Sequence, residues 1–396
     1  MADIKLIEPD LNFIREVLAS GGDSLKKCFQ CGTCSVVCNL SPEKNTFPRR
    51  EMIWTQWGLK ERVARDPNVW LCHQCNDCSQ YCPRGARPGD VLAALRAQAI
   101  RNYAFPSFMA TALADPKYLP ILMAFPVGLL LLALHLTGKL HIPEGPVHYA
   151  NMFSHLALNL FFGGLFFVML MTLLTGVVRF WLDLDRENRR GLDVVTLVKA
   201  AIPTITDILL HRKFQKCEAN KSRYLAHLLV FYGFVGLLIT TAIAVFYILI
   251  MELPNPPAWV VYPLPWYRPE KFLGNASALA LFTGLSLMIA NRLKSDATAS
   301  KSSYFDWLLI TVIGVLGLTG VIVELLRYSN AVPVAYYVYF VHLVSVFMLL
   351  IYLPYSKFAH LIYRAVAMIY ANYAEAKATV FVKEVENVAR AAALEG

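Results

Sequence analysis

Eight of the nine cysteines lie within residues 28–82, in two runs. The first is Cys28-Phe-Gln-Cys31-Gly-Thr-Cys34-Ser-Val-Val-Cys38; the second is Cys72-His-Gln-Cys75-Asn-Asp-Cys78-Ser-Gln-Tyr-Cys82-Pro83. Both read C-x2-C-x2-C-x3-C, the second displaced by 44 residues from the first. Three cysteines at intervals of three let a short loop aim each thiolate at a different iron of one cubane. The fourth lies too far along the following segment and ligates the other cluster. The spacing therefore assigns one [4Fe–4S] cluster to Cys28, Cys31, Cys34 and Cys82, and a second to Cys72, Cys75, Cys78 and Cys38. Zinc knuckles pair their cysteines four to an ion. In that reading the third cysteine of each run would crowd the second, and the repeat would have no use. Asn39 follows Cys38 where a proline is common, a local departure that leaves ligation untouched. Cys217 stands apart in a loop and reads as a spare thiol.

The elements that must position these thiolates differ on the two sides of residue 118. Hydrophobic residues make up 57% of the 396 and charged residues only 16%, with mean hydropathy +0.46. That excludes a disordered chain and argues against a wholly soluble one. Six apolar runs follow residue 118, at about 119–138, 153–180, 225–251, 272–291, 306–326 and 334–358. Each reaches the ~20 residues that cross ~30 Å of hydrocarbon. The loop 179–223 carries ten Lys and Arg residues, and Arg292, Lys294 and Lys301 follow the fourth run. By the positive-inside rule these loops, both termini and the cysteine region are cytoplasmic. The excess of +9 is then no sign of nucleic-acid binding. No secretory signal is visible at the start, so the cysteines suit metal in a reducing compartment rather than disulfides. Before residue 118 the chain reads as short helices at 9–20, 48–65 and from Asp90 to about 103. The expected architecture is all-α: a helical two-cluster ferredoxin-like domain (1–112), a six-helix transmembrane bundle (113–365) and a cytoplasmic tail helix (366–396), amphipathic over 370–390.

Ionisable residues inside spans are functional hypotheses by default. His227 sits near the cytoplasmic end of the third span. His342 and His360 are eighteen residues apart on the sixth, five whole turns, so one continuous helix would show both on one face ~27 Å apart. Two haems b stacked across a bilayer fit that layout, each with two axial imidazoles. The cytoplasmic haem takes His227 and His360. The outer haem takes His342, with His155 as its best available partner, although His135, His141 and His148 lie on the same side. Gly233 and Gly236 either leave room for the macrocycle or pack a neighbouring helix. Glu324, in the fifth span, is a candidate quinol proton acceptor, or else pairs with Arg327 three residues on. Arg49, Arg50, Arg84 and Arg87 surround the cluster segments, as solvated charge or as a dock for an acidic partner.

The cysteine region resembles the small iron–sulfur subunit of heterodisulfide reductases. The membrane part resembles the gamma subunit of respiratory nitrate reductase: His342-Leu-Val through Leu353-Pro-Tyr-Ser-Lys-Phe-Ala-His360 matches the last helix of that family, with its eighteen-residue ligand spacing. His227 matches an earlier ligand, but Leu237 stands where that family has a second one. Both halves in one chain resemble the membrane subunit of quinone-interacting oxidoreductase complexes of sulfate reducers. The resemblance implies flavin and iron–sulfur partner subunits in the cytoplasm, a menaquinone pool, adenylylsulfate reductase downstream and a place in the inner membrane. The expected function is electron transfer between menaquinol and those partners through haem b and the clusters. The alternative is a redox-sensing receptor or a zinc-binding scaffold.

Overall fold

The computed structural model describes residues 8–43, 45–186, 191–216, 221–294 and 302–395. They are all-α, with no strand among the described residues. Eight short helices come first: α1 (Leu11–Ala19), α2 (Thr33–Val36), α3 (Arg49–Gln56), α4 (Lys60–Ala64), α5 (Asn68–Leu71), α6 (Asp77–Gln80), α7 (Pro88–Tyr103) and α8 (Ser107–Ala114). The bundle follows: α9 (Leu119–Leu136), α10 (His155–Leu184), α11 (Val194–Leu209), α12 (Lys221–Met251), α13 (Pro269–Lys294), α14 (Tyr304–Tyr328), α15 (Val334–Tyr352) and α16 (His360–Glu395). All of the bundle helices but α11 and α16 are long and apolar enough to cross a membrane, six among the described residues. Large apolar side chains such as Phe166, Phe167, Leu170 and Leu238 are exposed on their flanks. That surface suits lipid rather than water.

Local signals account for the starts and stops. Asp10 caps α1 by accepting from the Phe13 amide at 2.8 Å, and Phe13 and Val17 are buried. Ser303 and Asp306 form a reciprocal capping box at the start of α14. Gly233 and Gly236 are packing residues: a Cβ on Gly233 would stand 2.7 Å from the Leu281 nitrogen, and one on Gly236 would strike the Ser277 hydroxyl. They seat α13 on α12, so they make no room for a macrocycle.

Two expectations change. The sixth span is not one helix through residue 358. After Tyr352 the chain makes two 3-10 turns, Leu353–Tyr355 and Lys357–Ala359, around an extended Ser356. Pro354 lacks the N–H that would continue the helix, and the Ser356 hydroxyl caps the second turn by accepting from Phe358. His342 and His360 therefore stand on different helices, and the five-turn argument does not relate them. The tail helix, expected over 366–396, instead starts at His360. Within the basic loop 179–223 the chain forms α11, capped by Asp193 through the Val195 and Thr196 amides. Its exposed Val194, Val198, Ile202 and Ile205 share one face, an arrangement suited to a bilayer interface. Cys217 lies outside the described residues.

The cysteine region and the bundle share one apolar core. Trp70 stacks on Tyr363 of α16 with centroids 5.5 Å apart. Phe180 of α10 meets Trp70, Tyr103 and Tyr363 edge-on or tilted. Tyr103 also donates to Asp183 at 2.9 Å. Gly176 lies against Tyr363 and the Tyr103 carbonyl so closely that any Cβ there would clash. This core fixes the cysteine loops relative to the bundle histidines.

Candidate functional site

The two cysteine loops share one backbone design. Gln30 and Gln74, each just before the second cysteine, have φ of 60° and 51°; Gly32 and Asn76, just after it, have φ of 86° and 70°. A non-glycine residue held left-handed costs on the order of 1–3 kcal/mol and persists where its surroundings over-determine it. Here the alternation turns the loop around its sulfurs. Backbone amides point the same way, with the Gln74 N–H 3.3 Å from the Cys72 sulfur.

Cys28, Cys31, Cys34 and Cys82 line one small cavity together with Arg49 and Arg84. Cys38 sits within the electrostatic reach of Cys72 and Cys75 instead, and Cys78 within that of Cys72, Cys75 and Cys38 as well as Cys34. None of the eight forms a disulfide. Burial pushes the Cys34 thiol up to about 12 and the Cys38 thiol up to about 11. Exposed Cys31 goes the other way, its thiolate favoured by the Thr33 hydroxyl and amide. Buried thiols gathered in this way need a strongly electrophilic partner to ionise, and an iron–sulfur cube fits that donor set.

A second, larger cavity of about 450 Å³ lies between the second cysteine loop and the bundle. His227 and His360 both line it, beside Cys72 and Cys75. Sequence reasoning missed two further histidines there, His73 and His211. The hydrogen bonds set tautomers. His211 Nδ1–H donates to the Leu209 carbonyl at 3.0 Å, so its Nε2 must accept, 3.0 Å away, from His227 Nδ1–H. His360 Nδ1–H donates to the Lys357 carbonyl. In both His227 and His360 the Nε2 lone pair is left for a ligand. Metal-binding imidazoles are commonly oriented by such donation from the other ring nitrogen. Trp70, Phe214, Phe231, Met288 and Leu309 give apolar walls. Six cations (Arg96, Lys213, Arg223, Arg292, Lys357, Arg364) line it against two carboxylates, Asp207 and Asp306. Apolar walls, two available imidazoles and surplus positive charge fit a haem with its two propionates. Nothing in the spacing announced His211. It follows an amphipathic helix in a loop that reads as basic, and only packing brings it to His227. His73 carried a weak signal, its place inside a cluster loop. Both its ring nitrogens are buried without a hydrogen-bond partner.

The outer candidates, His342 and His155, have different immediate partners. His342 Nδ1–H donates to Thr319 on α14 at 3.0 Å, and the Thr319 hydroxyl is spent on the Val315 carbonyl. His155 lies at the start of α10 with its ring edge-on to Tyr262. Its neighbour is thus a phenol ring, whereas the neighbour of His342 is a hydroxyl. Glu324 pairs with Lys271 of α13 at 2.8 Å and accepts from Asn275. The sequence suggests Arg327 as its partner; the neighbouring helix supplies a cation instead.

Fold and cysteine geometry together define a membrane-helix protein bearing a two-cluster iron–sulfur domain. The family model for the 4Fe-4S dicluster domain matches residues 24–86. The chain is similar to one subunit of the H(2):CoB-CoM heterodisulfide,ferredoxin reductase of Methanothermobacter marburgensis, 38% identical over 104 residues, 26% of this chain and 54% of that one. It is also similar to a heterodisulfide reductase subunit-like protein of Archaeoglobus profundus, 33% identical over 88 residues, 22% of this chain and 47% of that one. This chain thus spans about half the length of these curated relatives. Citrate utilization protein B of Escherichia coli is also similar: 26% identical over 316 residues, 76% of this chain and 80% of that protein. No solved structure matches.

Proposed function

We propose that this chain is the membrane-anchored electron-transfer subunit of a respiratory oxidoreductase complex. It moves electrons between menaquinol or menaquinone and cytoplasmic redox partners through haem b and two [4Fe–4S] clusters. One observation carries the reading: a single cavity is lined by His227 and His360 on one side and by Cys72 and Cys75 on the other. The similarity to heterodisulfide reductase subunits, themselves parts of multi-subunit enzymes by name, supports the cluster half.

When bound, haem and clusters each carry one electron at a time, so the two electrons of a quinol pass singly. The chain does the rest. His227 and His360 would offer their Nε2 atoms to the haem iron, their rings held by His211 and the Lys357 carbonyl. The surplus cations of the cavity would offset the charge of the haem propionates. Cys72, Cys75, Cys78 and Cys38 hold the cluster beside the cavity; Cys28, Cys31, Cys34 and Cys82 hold the outward one. The shared core keeps these sites at fixed separation. A second haem, on the outer side, would rest on His342 with His155 as its partner, and Glu324 is proposed to take a quinol proton there. By resemblance the complex is the quinone-interacting oxidoreductase of sulfate reducers. Flavin and iron–sulfur subunits would then be the partners, adenylylsulfate reductase the downstream acceptor, and the inner membrane the location, with the clusters on its cytoplasmic side.

The test is haem b per chain by pyridine haemochromogen, with iron, acid-labile sulfide and menaquinol-driven reduction followed on the same sample. One haem is expected from the cavity alone, and two if His155 and His342 close on a second. Eight iron and eight sulfide are expected from the cysteines. Fully loaded protein without haem would sink the membrane half. Zinc in place of iron and sulfide would favour a scaffold, and clusters that never respond to quinol a sensor.

A further inference from the structure

Arg223 and His227 lie four residues apart on α12, and His360 and Arg364 four apart on α16. Each helix therefore presents a histidine and an arginine on one face, a turn apart. Both histidines line the cavity. Both arginines reach past it to the backbone of the second cysteine loop. Arg223 donates to the Gln74 carbonyl at 2.7 Å; Arg364 donates to the Cys72 and Leu71 carbonyls at 3.2 Å each. These carbonyls need outside donors because α5 ends at Leu71 and the loop then turns left-handed. The first loop solves the same problem without charge: Gln56 donates to the Leu25 and Cys28 carbonyls at 3.0 and 2.9 Å. An amide would have served the second loop equally well. Two permanently charged guanidiniums stand there instead, on the helices that carry the histidines.

We propose that Arg223 and Arg364 are positioning residues that lock the second cluster against the histidine cavity and raise its reduction potential. This rests on the reading of that cavity as a haem site. Reduction adds one electron and one negative charge to an oxidised cluster while one electron leaves the reduced haem. Two fixed positive charges beside the loop favour the reduced form. The two forks also fix the loop at one distance from His227 and His360. The second cluster thus follows the cavity in the path, and the first cluster delivers electrons outward.

The experiment is an EPR-monitored redox titration of the full-length protein in lipid nanodiscs, comparing wild type with R223Q, R364Q, the double variant and R364K. The double variant is expected to lower the reduced-to-oxidised ratio of one cluster about tenfold at fixed potential, ~59 mV for a one-electron couple. The other cluster should not move. R364K keeps the charge and loses the fork. Its potential should stay near wild type while menaquinol-driven cluster reduction slows. Equal shifts in both clusters, a shift in neither, or R364K matching R364Q in potential would overturn the proposal. Loss of the second cluster alone in a glutamine variant is the same result in stronger form. Loss of both clusters in the glutamine and lysine variants alike would overturn it in favour of a general folding role. Wild-type protein lacking haem would remove the haem reading yet leave this titration intact, since it reads iron–sulfur signals only.

Discussion

The two cysteine loops are near copies in sequence and backbone, yet they sit in opposite surroundings. After its first cysteine the first loop has Phe29, 66% exposed and covered by the Arg84 guanidinium 4.2 Å from the ring. At the equivalent position the second loop has His73, its nitrogens buried and its ring edge-on to Phe214 at 4.7 Å. Cys31 is exposed, whereas Cys75 is partly covered. An amide holds the first loop; arginines from the bundle hold the second. On the proposed reading, one motif serves two ends of a path. A loop that must meet a partner keeps an apolar, cationic rim in solvent. The loop that faces the histidine cavity is sealed under charge.

The two loops should part company most plainly when one cluster is removed at a time. Cys78→Ser is expected to abolish the second cluster and, with it, all menaquinol-dependent reduction of the first. Cys31→Ser should leave the second cluster reducible. EPR of quinol-reduced samples separates the two outcomes. Next, His227→Ala or His360→Ala should cost the haem of the shared cavity while eight irons remain, read by haemochromogen against iron content. His211→Phe, which removes the acceptor for His227 together with the donor to the Leu209 carbonyl, should weaken haem retention by roughly 10–100-fold, the usual range for a lost outer partner. Overpacking the junction is expected to cost less. Gly176→Val should lower stability by about 1–3 kcal/mol, seen as an earlier thermal transition in detergent. A rigid junction predicts that the same change slows electron passage between bundle and clusters.

At the rim of the first loop the expected effects are smaller. Arg84→Glu should change stability by less than ~0.5 kcal/mol, yet slow cluster oxidation by an acidic partner and reverse its salt dependence, read by stopped flow. In apoprotein at pH 8, iodoacetamide should label Cys31 well before Cys34 and Cys38. Burial raises the latter two thiols to about 12 and 11, so they stay protonated at that pH, while the Thr33 contacts favour the Cys31 thiolate. Mass spectrometry of the labelled peptides reads the order, and early labelling of Cys38 would contradict it.

Much of this was legible without coordinates, for identifiable reasons. Three thiolates of each set follow from spacing because a loop of seven residues is nearly self-contained, and the fourth follows from its lying beyond that loop. The six spans follow from composition because hydrocarbon thickness imposes a length. His227 and His360 stood out as ionisable residues at the ends of apolar runs. What stayed hidden depended on contacts remote in sequence. Gly233 and Gly236 could be understood only with Ser277 and Leu281 against them. The cation facing Glu324 came from the next helix rather than from its own.

The chemistry on offer was set by the order of residues: eight thiolates in two runs, histidines at the ends of spans, and a bundle that needs lipid. These are matters of local spacing and transfer free energy, which the chain carries wherever it folds. How the pieces meet is a matter of packing. The turns around Pro354 and Ser356 end α15 and start α16 afresh, separating His342 from His360 and aiming Arg364 at the cysteine loop. Packing set His211 behind His227, sixteen residues away, and set Arg223 on Gln74, 149 residues away. Hydrogen bonds across such separations have no signature in periodicity, because they exist only once the helices are packed.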